Sequence, residues 1–369
     1  MNIESNHPRT PTLQDIGWNS FFQKNFQALK IPDTMPARVI SEFKDAFQVY
    51  TECGELTATI SGRMRHFAET EERYPAVGDW VVIKKLNNEQ KAVIHAVLPR
   101  KSKFSRKAAG ERTEEQIISA NIDTVFIVSG MDGGRNFNLR RIERYLALAW
   151  SSGAIPVIVL NKVDLCTDID TPVHEVETIA PGISIHPVSA RENIGLDALK
   201  AYLGRGKTAA FLGSSGVGKS ALINALLGVE RQKTGEVRGD DRMGRHTTTK
   251  RELIILPGGG MVIDTPGMRE IQMWAGEEDL QETFHDIEML AGQCRFSDCS
   301  HNTESGCAVK TAIDRGELDP SRLENFRKLQ REINYLAYRE EHSTRLYEKL
   351  RWKKVARLIK EMKHGGENP

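Results

Sequence analysis

A glycine-rich segment at residues 213–220, Gly-Ser-Ser-Gly-Val-Gly-Lys-Ser, has the clearest chemical signature in the chain. It matches G-x-x-x-x-G-K-[ST], in which glycines let backbone N–H groups point at phosphate oxygens. An apolar run precedes it and a helical pattern follows it, which is the context this motif requires. We expect Lys219 to bind the β- and γ-phosphates and the Ser220 hydroxyl to bind Mg²⁺. The predicted phosphate-binding residues are Gly213, Ser214, Ser215, Gly216, Val217, Gly218, Lys219, Ser220 and Ala221.

A second motif, Asp-Thr-Pro-Gly at residues 264–267, directly follows an apolar run at 261–263. A carboxylate at the end of a strand can hold Mg²⁺ through water, and the Gly267 N–H can contact a γ-phosphate. A Pro-Gly pair by itself also occurs in plain turns. The position behind an apolar strand, downstream of the phosphate loop, favours the interpretation that Asp264 and Gly267 belong to the phosphate site.

Two further segments are suited to binding a purine base. Asn-Lys-Val-Asp at 161–164 follows an apolar strand, and Asp164 can accept hydrogen bonds from the guanine N1–H and N2 amine, donors that adenine does not present in that pattern. Asn161 would contact the other edge of the base, and Lys162 would lie along it. A Ser-Ala pair would close the pocket with a backbone N–H. A solvated loop is the alternative for such short motifs; the predicted base-binding residues are Asn161, Lys162, Asp164, Ser189 and Ala190.

Together these four motifs resemble the GTPase superfamily of P-loop proteins, which implies GTP as substrate and Mg²⁺ as its metal. In the usual order the phosphate loop and DTPG come first, whereas here the base-binding motifs precede them. A circular permutation can leave the sheet and the pocket intact because chain termini lie at the surface. The motif order therefore predicts a circularly permuted GTPase domain.

The polar segment 234–250 lies where a GTPase has its first switch loop, and it includes Gly-Arg-His-Thr-Thr-Thr at 244–249. We expect Thr248, in preference to its two threonine neighbours, to bind Mg²⁺ and sense the γ-phosphate. Met268 stands where many GTPases have a glutamine that orients water, so intrinsic hydrolysis should be slow. His246 could replace that glutamine when a partner closes the switch; a surface histidine without function is the alternative. The predicted catalytic residues are His246, Lys219 and Thr248.

A cysteine-rich segment downstream has the spacing Cys-x₄-Cys-x-His-x₅-Cys. Three thiolates and one imidazole suit a tetrahedral, closed and therefore structural zinc site. Burial of cysteines in an apolar core is the alternative, but the neighbouring residues are polar, and a reducing cytosol favours metal over disulfide. The predicted zinc ligands are Cys294, Cys299, His301 and Cys307.

Composition restricts the class of protein without identifying a partner. The 369 residues are 39% hydrophobic and 27% charged, with a net charge of +1, as in ordinary soluble proteins. No stretch approaches the length of a membrane span, and the polar N-terminus does not resemble a secretion signal. We therefore expect a cytoplasmic protein, and only local clusters of basic residues could bind a polyanion.

The elements around the motifs predict a multidomain α/β protein. Residues 37 to about 94 show short alternating runs separated by glycines, which is typical of a small barrel. From residue 122 apolar runs alternate with helical patterns, which predicts a mostly parallel sheet with helices on both faces. Beyond residue 276 the pattern is helical, and 320–363 is dense in lysine and arginine.

The order of features along the whole chain resembles that of the ribosome small-subunit-dependent GTPase A family. The features are, in order, the barrel, NKVD, SA, GSSGVGKS, GRHTTT, DTPG and the cysteine cluster. This resemblance implies an OB-fold RNA-binding barrel at 37–108, a permuted GTPase domain at 109–276 and a zinc-binding helical domain at 277–369. The N-terminal residues fall outside the resemblance, and we treat 1–36 as an N-terminal extension. The resemblance places the proposed catalytic histidine at His246 and the structural zinc on the cysteine cluster.

The resemblance also implies a role in late maturation of the small ribosomal subunit. The subunit would stimulate GTP hydrolysis, and hydrolysis would release the protein from the subunit. The partners would be that subunit and its ribosomal RNA, without membrane or DNA, and the protein would be a monomer. RNA contacts could come from basic residues, although a solvated surface is the alternative. These are Arg63, Arg65, Arg100, Lys101, Lys103, Arg106 and Lys107 near the barrel, and Arg351, Lys353, Lys354, Arg357, Lys360 and Lys363, with Tyr347 and Trp352, at the C-terminus.

Three other functions are compatible with the same motifs. A GTPase could serve another RNA or protein partner, and only partner-dependent stimulation would distinguish this from a ribosomal role. A nucleotide-sensing RNA-binding protein with negligible turnover is conceivable because of Met268. Adenine specificity is disfavoured by Asp164, whose substitution by asparagine should weaken GTP binding.

Overall fold

The computed structural model describes residues 11–43, 46–67, 74–86, 89–107, 115–134, 136–229, 251–264, 277–335 and 338. Several predicted features lie outside these residues. They are the first ten residues, the switch segment with His246 and Thr248, Gly267 and Met268 beyond Asp264, and the predicted RNA contacts at 347–363.

Five strands near the N-terminus form a closed barrel. They are β1 (Met35–Glu42), β2 (Phe47–Thr51), β3 (Gly54–Ile60), β4 (Trp80–Lys85) and β5 (Lys91–Val97). The order is β1-β2-β3-β5-β4, and β4 pairs back with β1. Alternate side chains point inward, so Val39, Val49 and Leu56 form a core of their own. The predicted barrel is confirmed.

The segment before the barrel packs against it. Helix α1 (Ser20–Leu29) begins at Asn19, whose side chain accepts a hydrogen bond from the Phe21 N–H. Trp18 and Phe22 contact Trp80 of β4, with ring centroids 4.6 and 5.7 Å apart. The N-terminal lead-in therefore contributes to the core, while the predicted domain boundaries stay a prediction. A further short helix, α2 (Gly62–Phe67), follows β3 of the barrel.

Beyond the barrel, β6 (Lys103–Lys107) and β7 (Glu115–Ala120) form a two-stranded antiparallel sheet. A larger sheet follows, with β8 (Thr124–Gly130), β9 (Ile155–Asn161), β10 (Ile185–Val188), β11 (Thr208–Gly213), β12 (Glu252–Ile255) and β13 (Met261–Asp264). Its order is β10-β9-β8-β11-β13-β12, and all its strands except β12 are parallel. The phosphate-loop strand β11 thus follows the base-binding strands in the chain, and the predicted permutation is confirmed.

Helices cover both faces of this sheet, as predicted. Alternating side chains of β8 belong to two separate cores, Ile127 to one and Val128 to the other. The helices between the strands are α3 (Leu139–Ser152), α4 (Asp170–Ile179), α5 (Leu196–Lys200) and α6 (Lys219–Leu227). Leu146 of α3 packs in the first core and Leu222 of α6 in the second. Burial on both faces explains why the strands read as continuous apolar runs.

The barrel and the larger sheet are joined along one edge. Ser41 of β1 pairs with Glu252 of β12, so the two sheets form one eleven-stranded assembly. Arg251 and Glu42 add an ion pair of 3.3 Å at this junction. Arg38, only 2% exposed, donates to the carbonyls of Ile16, Gly78 and Asn121 and to the Thr208 hydroxyl.

Helices α7 (Glu277–Thr283), α8 (His285–Ala291), α9 (Ala308–Asp314) and α10 (residues 320–335) form the C-terminal part. α10 is anchored to α3 by charge: Arg322 bridges the buried Glu143 at 2.7 Å and Asp286 at 2.6 Å. Arg144 and Glu332 add a second ion pair of 2.5 Å. Among the described residues, no helix combines the length and apolar character needed to cross a membrane.

Candidate functional site

The predicted nucleotide motifs converge at one edge of the parallel sheet. β9 ends at Asn161, β11 at Gly213 and β13 at Asp264, and the Ser189-Ala190 pair follows β10. Neighbouring parallel strands present their carboxyl ends on the same side, where α/β proteins bind ligands. Residues far apart in the chain are thereby brought into one pocket.

The phosphate loop has a backbone that requires glycine at defined positions. Gly213, Gly216 and Gly218 have φ of 154°, 80° and 96°, a region that side chains disfavour. A Cβ on Gly213 would lie 2.5 Å from the Val128 carbonyl oxygen, and one on Gly218 would overlap Asn161 Nδ2. The glycines therefore serve both the turn and the close approach of the neighbouring loop.

Lys219 lies over the loop. Its Nζ donates to the carbonyl oxygens of Gly213 and Ser214, each at 2.7 Å. Helix α6 begins at this lysine, so its N-terminal N–H groups and partial positive charge add to the ammonium. Ser220, also in the first turn, is half-buried. The arrangement concentrates positive potential where the sequence predicts phosphates.

Asn161 connects the phosphate loop to the base-binding loops. Its Nδ2 donates to the Val217 carbonyl oxygen at 2.8 Å, and its Oδ1 accepts from the Ala190 N–H at 3.1 Å. The residue is 2% exposed. Both polar atoms of the amide thus hold protein backbone, a positioning role that the sequence did not reveal. Direct contact of Asn161 with the base stays a prediction.

Asp164 is oriented by Ser189. The buried Ser189 hydroxyl donates to Asp164 Oδ1 at 2.6 Å, and its oxygen accepts from the Glu192 N–H at 3.1 Å. Asp164 itself is exposed, with its carboxylate at the surface of the pocket. The sequence suggested only a backbone N–H from the Ser-Ala pair, whereas the structure adds this side-chain contact.

Lys162 pairs with a residue that sequence reasoning missed. Its Nζ is 2.5 Å from Oδ2 of Asp132, which follows β8 by two residues. Burial raises the pKa of Asp132, and hydrogen bonds from Lys162 and Asn136 lower it by more, so the carboxyl has a pKa below its usual value. Its place just past a buried parallel strand was the available sequence signal.

The predicted magnesium ligands lie only partly within the described residues. Asp264 ends β13 half-buried and is paired in register with Glu252. Hard oxygen donors such as the Ser220 hydroxyl and the Asp264 carboxylate fit Mg²⁺. Thr248, His246 and Gly267 lie outside the described residues.

The four predicted zinc ligands form one cluster, with ligand atoms all within 4.8 Å of one another. Cys294 Sγ is 3.9 Å from Cys307 Sγ, and His301 Nδ1 is 3.6 and 3.5 Å from these sulfurs. Zinc–sulfur bonds of about 2.3 Å in a tetrahedron separate two sulfurs by about 3.8 Å. The donor set and its spacing are therefore compatible with zinc.

The surroundings of the cluster favour the metal-binding forms of two of its four side chains, Cys294 and His301. Burial raises the pKa of the Cys294 thiol, but N–H groups of Val309 and Ala308 and the neighbouring thiols lower it by more, so the net pKa is below its usual value. Burial, followed by the Arg327 guanidinium, lowers the pKa of His301. Thiolate and neutral imidazole are the forms that ligate metal, so these two shifts favour ligation. Burial and the neighbouring thiols have the opposite effect on Cys299, whose pKa they raise to about 11.

The loop between the ligands depends on Glu304, which sequence reasoning missed. Its carboxylate accepts hydrogen bonds from the N–H groups of Ser300, Asn302 and Thr303 at 2.8–3.0 Å. Hydrogen bonding to Ser300 is the main reason that the pKa of Glu304 falls to about 2. His301, inside this loop, has a φ of 60°, and its carbonyl oxygen accepts from Arg327 at 2.6 Å.

The basic stretch near the barrel is not a uniform positive surface. Arg100 makes two hydrogen bonds of 2.8 Å to the fully buried Asp79. Lys103 pairs with Glu115 at 2.8 Å, and Lys101 lies over the ring of Phe22 at 5.3 Å. The structure thus gives part of this stretch a structural use. Two other predicted contacts remain exposed on α2, Arg63 and Arg65.

Comparison with known proteins identifies relatives of the chain. Residues 97–274 match the family model described as RsgA GTPase. A protein of Opitutus terrae named small ribosomal subunit biogenesis GTPase RsgA is 48% identical over 93% of this chain and 96% of its own length. A protein of the same name from Xanthomonas axonopodis pv. citri is 46% identical, covering 88% and 90% of the two chains.

Two solved structures are also similar to this chain. The crystal structure of YjeQ from Thermotoga maritima matches with a TM-score of 0.61 and 31% identity, covering 81% of this chain and 98% of that one. A structure described as YloQ, a circularly permuted GTPase, matches with a TM-score of 0.57 and 24% identity, over 82% and 95% of the chains. The second likeness concerns the fold alone.

Proposed function

Because this chain belongs to the RsgA family of GTPases, we propose that it hydrolyses GTP on the small ribosomal subunit, as a late assembly factor released by hydrolysis. The observation that carries the proposal is the pocket in which Asn161 joins the phosphate loop to the base-binding loop. This pocket occurs in a chain closely similar to proteins named for biogenesis of that subunit.

Binding of GTP would use the two ends of the pocket separately. We assign the phosphates to the 213–220 loop, with Lys219 as the main cation, and the guanine edge to Asp164, which Ser189 orients. Mg²⁺, held by Ser220 and, through water, by Asp264, would neutralise charge on the phosphates. Catalysis of phosphoryl transfer is mainly positioning and electrostatic stabilisation, which a preorganised loop supplies.

Positioning of the attacking water is assigned to His246, with Thr248 as the γ-phosphate sensor in the switch. Met268 cannot orient water, which leaves this task to another side chain. Replacing His246 by alanine should abolish stimulated hydrolysis while GTP affinity is kept. An unchanged rate would reject the assignment.

The cysteine cluster is proposed to bind one structural zinc. Cys294, Cys299, His301 and Cys307 supply four donors, which completes a tetrahedron and leaves no position for a substrate. The cluster would hold α8, α9 and α10 together beside α3. Ribosomal RNA would contact the barrel through Arg63 and Arg65, and the protein would act as a cytoplasmic monomer without a membrane or DNA partner.

The deciding experiment measures GTP hydrolysis by the purified protein alone, with small ribosomal subunits and with large subunits. Strong stimulation by small subunits only would support both the partner and the proposed role. Equal rates in all three reactions would remove the ribosomal role while leaving the assignment to the GTPase family intact.

A further inference from the structure

The loop after β8 places an acidic side chain against the base-binding lysine. β8 and β9 are neighbouring parallel strands, with Gly130 paired to Asn161 at their ends. Lys162 lies one residue beyond β9 and Asp132 two residues beyond β8, so their side chains meet at 2.5 Å. The two groups are 24% and 18% exposed, and the pair is therefore less screened by solvent than a surface ion pair.

Asp132 is fixed in this position by its own loop. Asn136 Nδ2 donates to the same Oδ2 at 2.8 Å, and the Ser129 hydroxyl donates to the Asn136 carbonyl oxygen at 2.9 Å. The other carboxylate oxygen, Oδ1, is buried and has no hydrogen-bond partner among the described residues. Within the described chain, the charge of Asp132 is therefore compensated chiefly through Lys162.

The side chain of Lys162 has to be held in one conformation if it is to lie along a bound base. The backbone of Lys162 is in the left-handed region with a φ of 72°, and the side chain extends to Asp132 in the loop after β8. A lysine stem has several rotatable bonds, and ordering it when a ligand binds reduces affinity. An ion pair formed before the nucleotide arrives removes part of that cost.

We propose that Asp132 is a positioning residue for guanine nucleotides, holding the Lys162 stem in the conformation that lies along the base. This inference rests on the proposed function and deepens it at the same site. Because Asp132 acts at the base end of the pocket, its effect should fall on the affinity for GTP and GDP alike. Hydrolysis of bound GTP should be unaffected, since the phosphates are assigned to the 213–220 loop.

The test is the Asp132→Asn variant, with dissociation constants measured by titration of a fluorescent GDP analogue. We expect affinity to fall about tenfold, comparable to the cost of ordering one long side chain. Single-turnover hydrolysis at saturating GTP should stay within about twofold of the unmodified protein. A matched control is Asp197→Asn, which removes an exposed aspartate–lysine pair of 2.8 Å with Lys200 on the same domain and should leave affinity unchanged.

A double-mutant cycle separates positioning from a general structural role. In a Lys162→Met background, Asp132→Asn should cause no further loss of affinity, because its effect is transmitted through the lysine. A full additional loss in that background, or unchanged affinity of Asp132→Asn alone, would overturn the inference. Failure of the unmodified protein to bind GDP would instead overturn the proposed function.

If circular dichroism shows that Asp132→Asn does not fold, Asn136→Ala supplies the same test. It removes one donor to Asp132 and leaves the ion pair in place. We expect a smaller loss of GDP affinity, about threefold, which again disappears in the Lys162→Met background. Unchanged affinity of a folded Asn136→Ala variant would contradict the inference.

Discussion

The nucleotide pocket draws its side chains from Asp132 to Asp264, whereas the four ligand atoms of the cysteine cluster come from residues 294–307. In the pocket, long-range contacts such as Asn161 to Val217 set the geometry, and a buried sheet keeps those contacts in place. In the cluster, a short loop held by Glu304 brings the ligands together. The geometry of the nucleotide pocket therefore depends on the whole sheet, whereas the geometry of the cluster depends on one local loop.

The largest expected effect is removal of the metal. Structural zinc contributes an apparent ~10–16 kcal/mol in small metal-dependent domains, so Cys307→Ser should abolish zinc binding and unfold the cluster. GDP affinity should persist because none of the side chains assigned to the nucleotide belongs to the cluster. Metal analysis and GDP titration measure the two results, with the exposed Cys53→Ser as control. If Cys307→Ser abolished GDP binding as well as zinc binding, the two sites would not be independent.

Gly218→Ala should weaken GDP binding and leave the cysteine cluster intact, the opposite of what we expect for Cys307→Ser. The added Cβ would overlap Asn161 Nδ2, and the backbone φ of 96° is unfavourable for alanine. We expect GDP affinity to fall about a hundredfold, since loop closure and the Asn161 bridge are both disturbed. Zinc content should stay unchanged. Gly204→Ala, at an exposed position with open space, is the control, and GDP binding like that of the control would refute the argument.

Arg322→Met tests the connection between the two regions. Glu143 is fully buried, and loss of Arg322 leaves Arg140, at 2.6 Å, as its remaining cation among the described residues. Removing one of the two cations should cost about 2 kcal/mol of unfolding free energy, less than a buried charge with no partner would. Urea denaturation of the unmodified and variant proteins measures this difference. Arg331→Met, on the exposed side of the same helix, should change stability little. Comparable values for the two variants would mean that the ion-pair network is dispensable.

Glu304→Gln should have the smallest effect. In the folded protein the pKa of Glu304 is about 2, below the usual 4.5. Its contribution to the stability of the folded loop is therefore fully present above pH 4.5 and is lost as the pH falls towards 2. At pH 7 the variant should release zinc about twofold faster to a chelator, because Glu304 is only partly buried and water screens its charge. A hundredfold change would show that this loop controls metal retention.

The fold and the site could be predicted to different extents. Contiguous motifs such as 161–164 and 213–220 were identifiable because each has its chemistry in a few neighbouring residues. Asp132 was missed because its role exists only once β8 and β9 lie side by side. Charge counting assigns the basic stretch either to RNA contacts or to a solvated surface, but Arg100 forms an ion pair with the buried Asp79, a partner that charge counting does not reveal.

By itself, the sequence determined the permuted order of motifs, the glycines of the phosphate loop and the three cysteines and one histidine of the cluster. Local spacing is sufficient for each of these, since the chemistry depends on residue types a few positions apart. Only the tertiary structure decided that Asn161 holds two loops, that Asp132 restrains Lys162, and that Arg322 joins α10 to α3. Those roles arise from parallel strand pairing and burial, which bring together residues separated by tens to hundreds of positions.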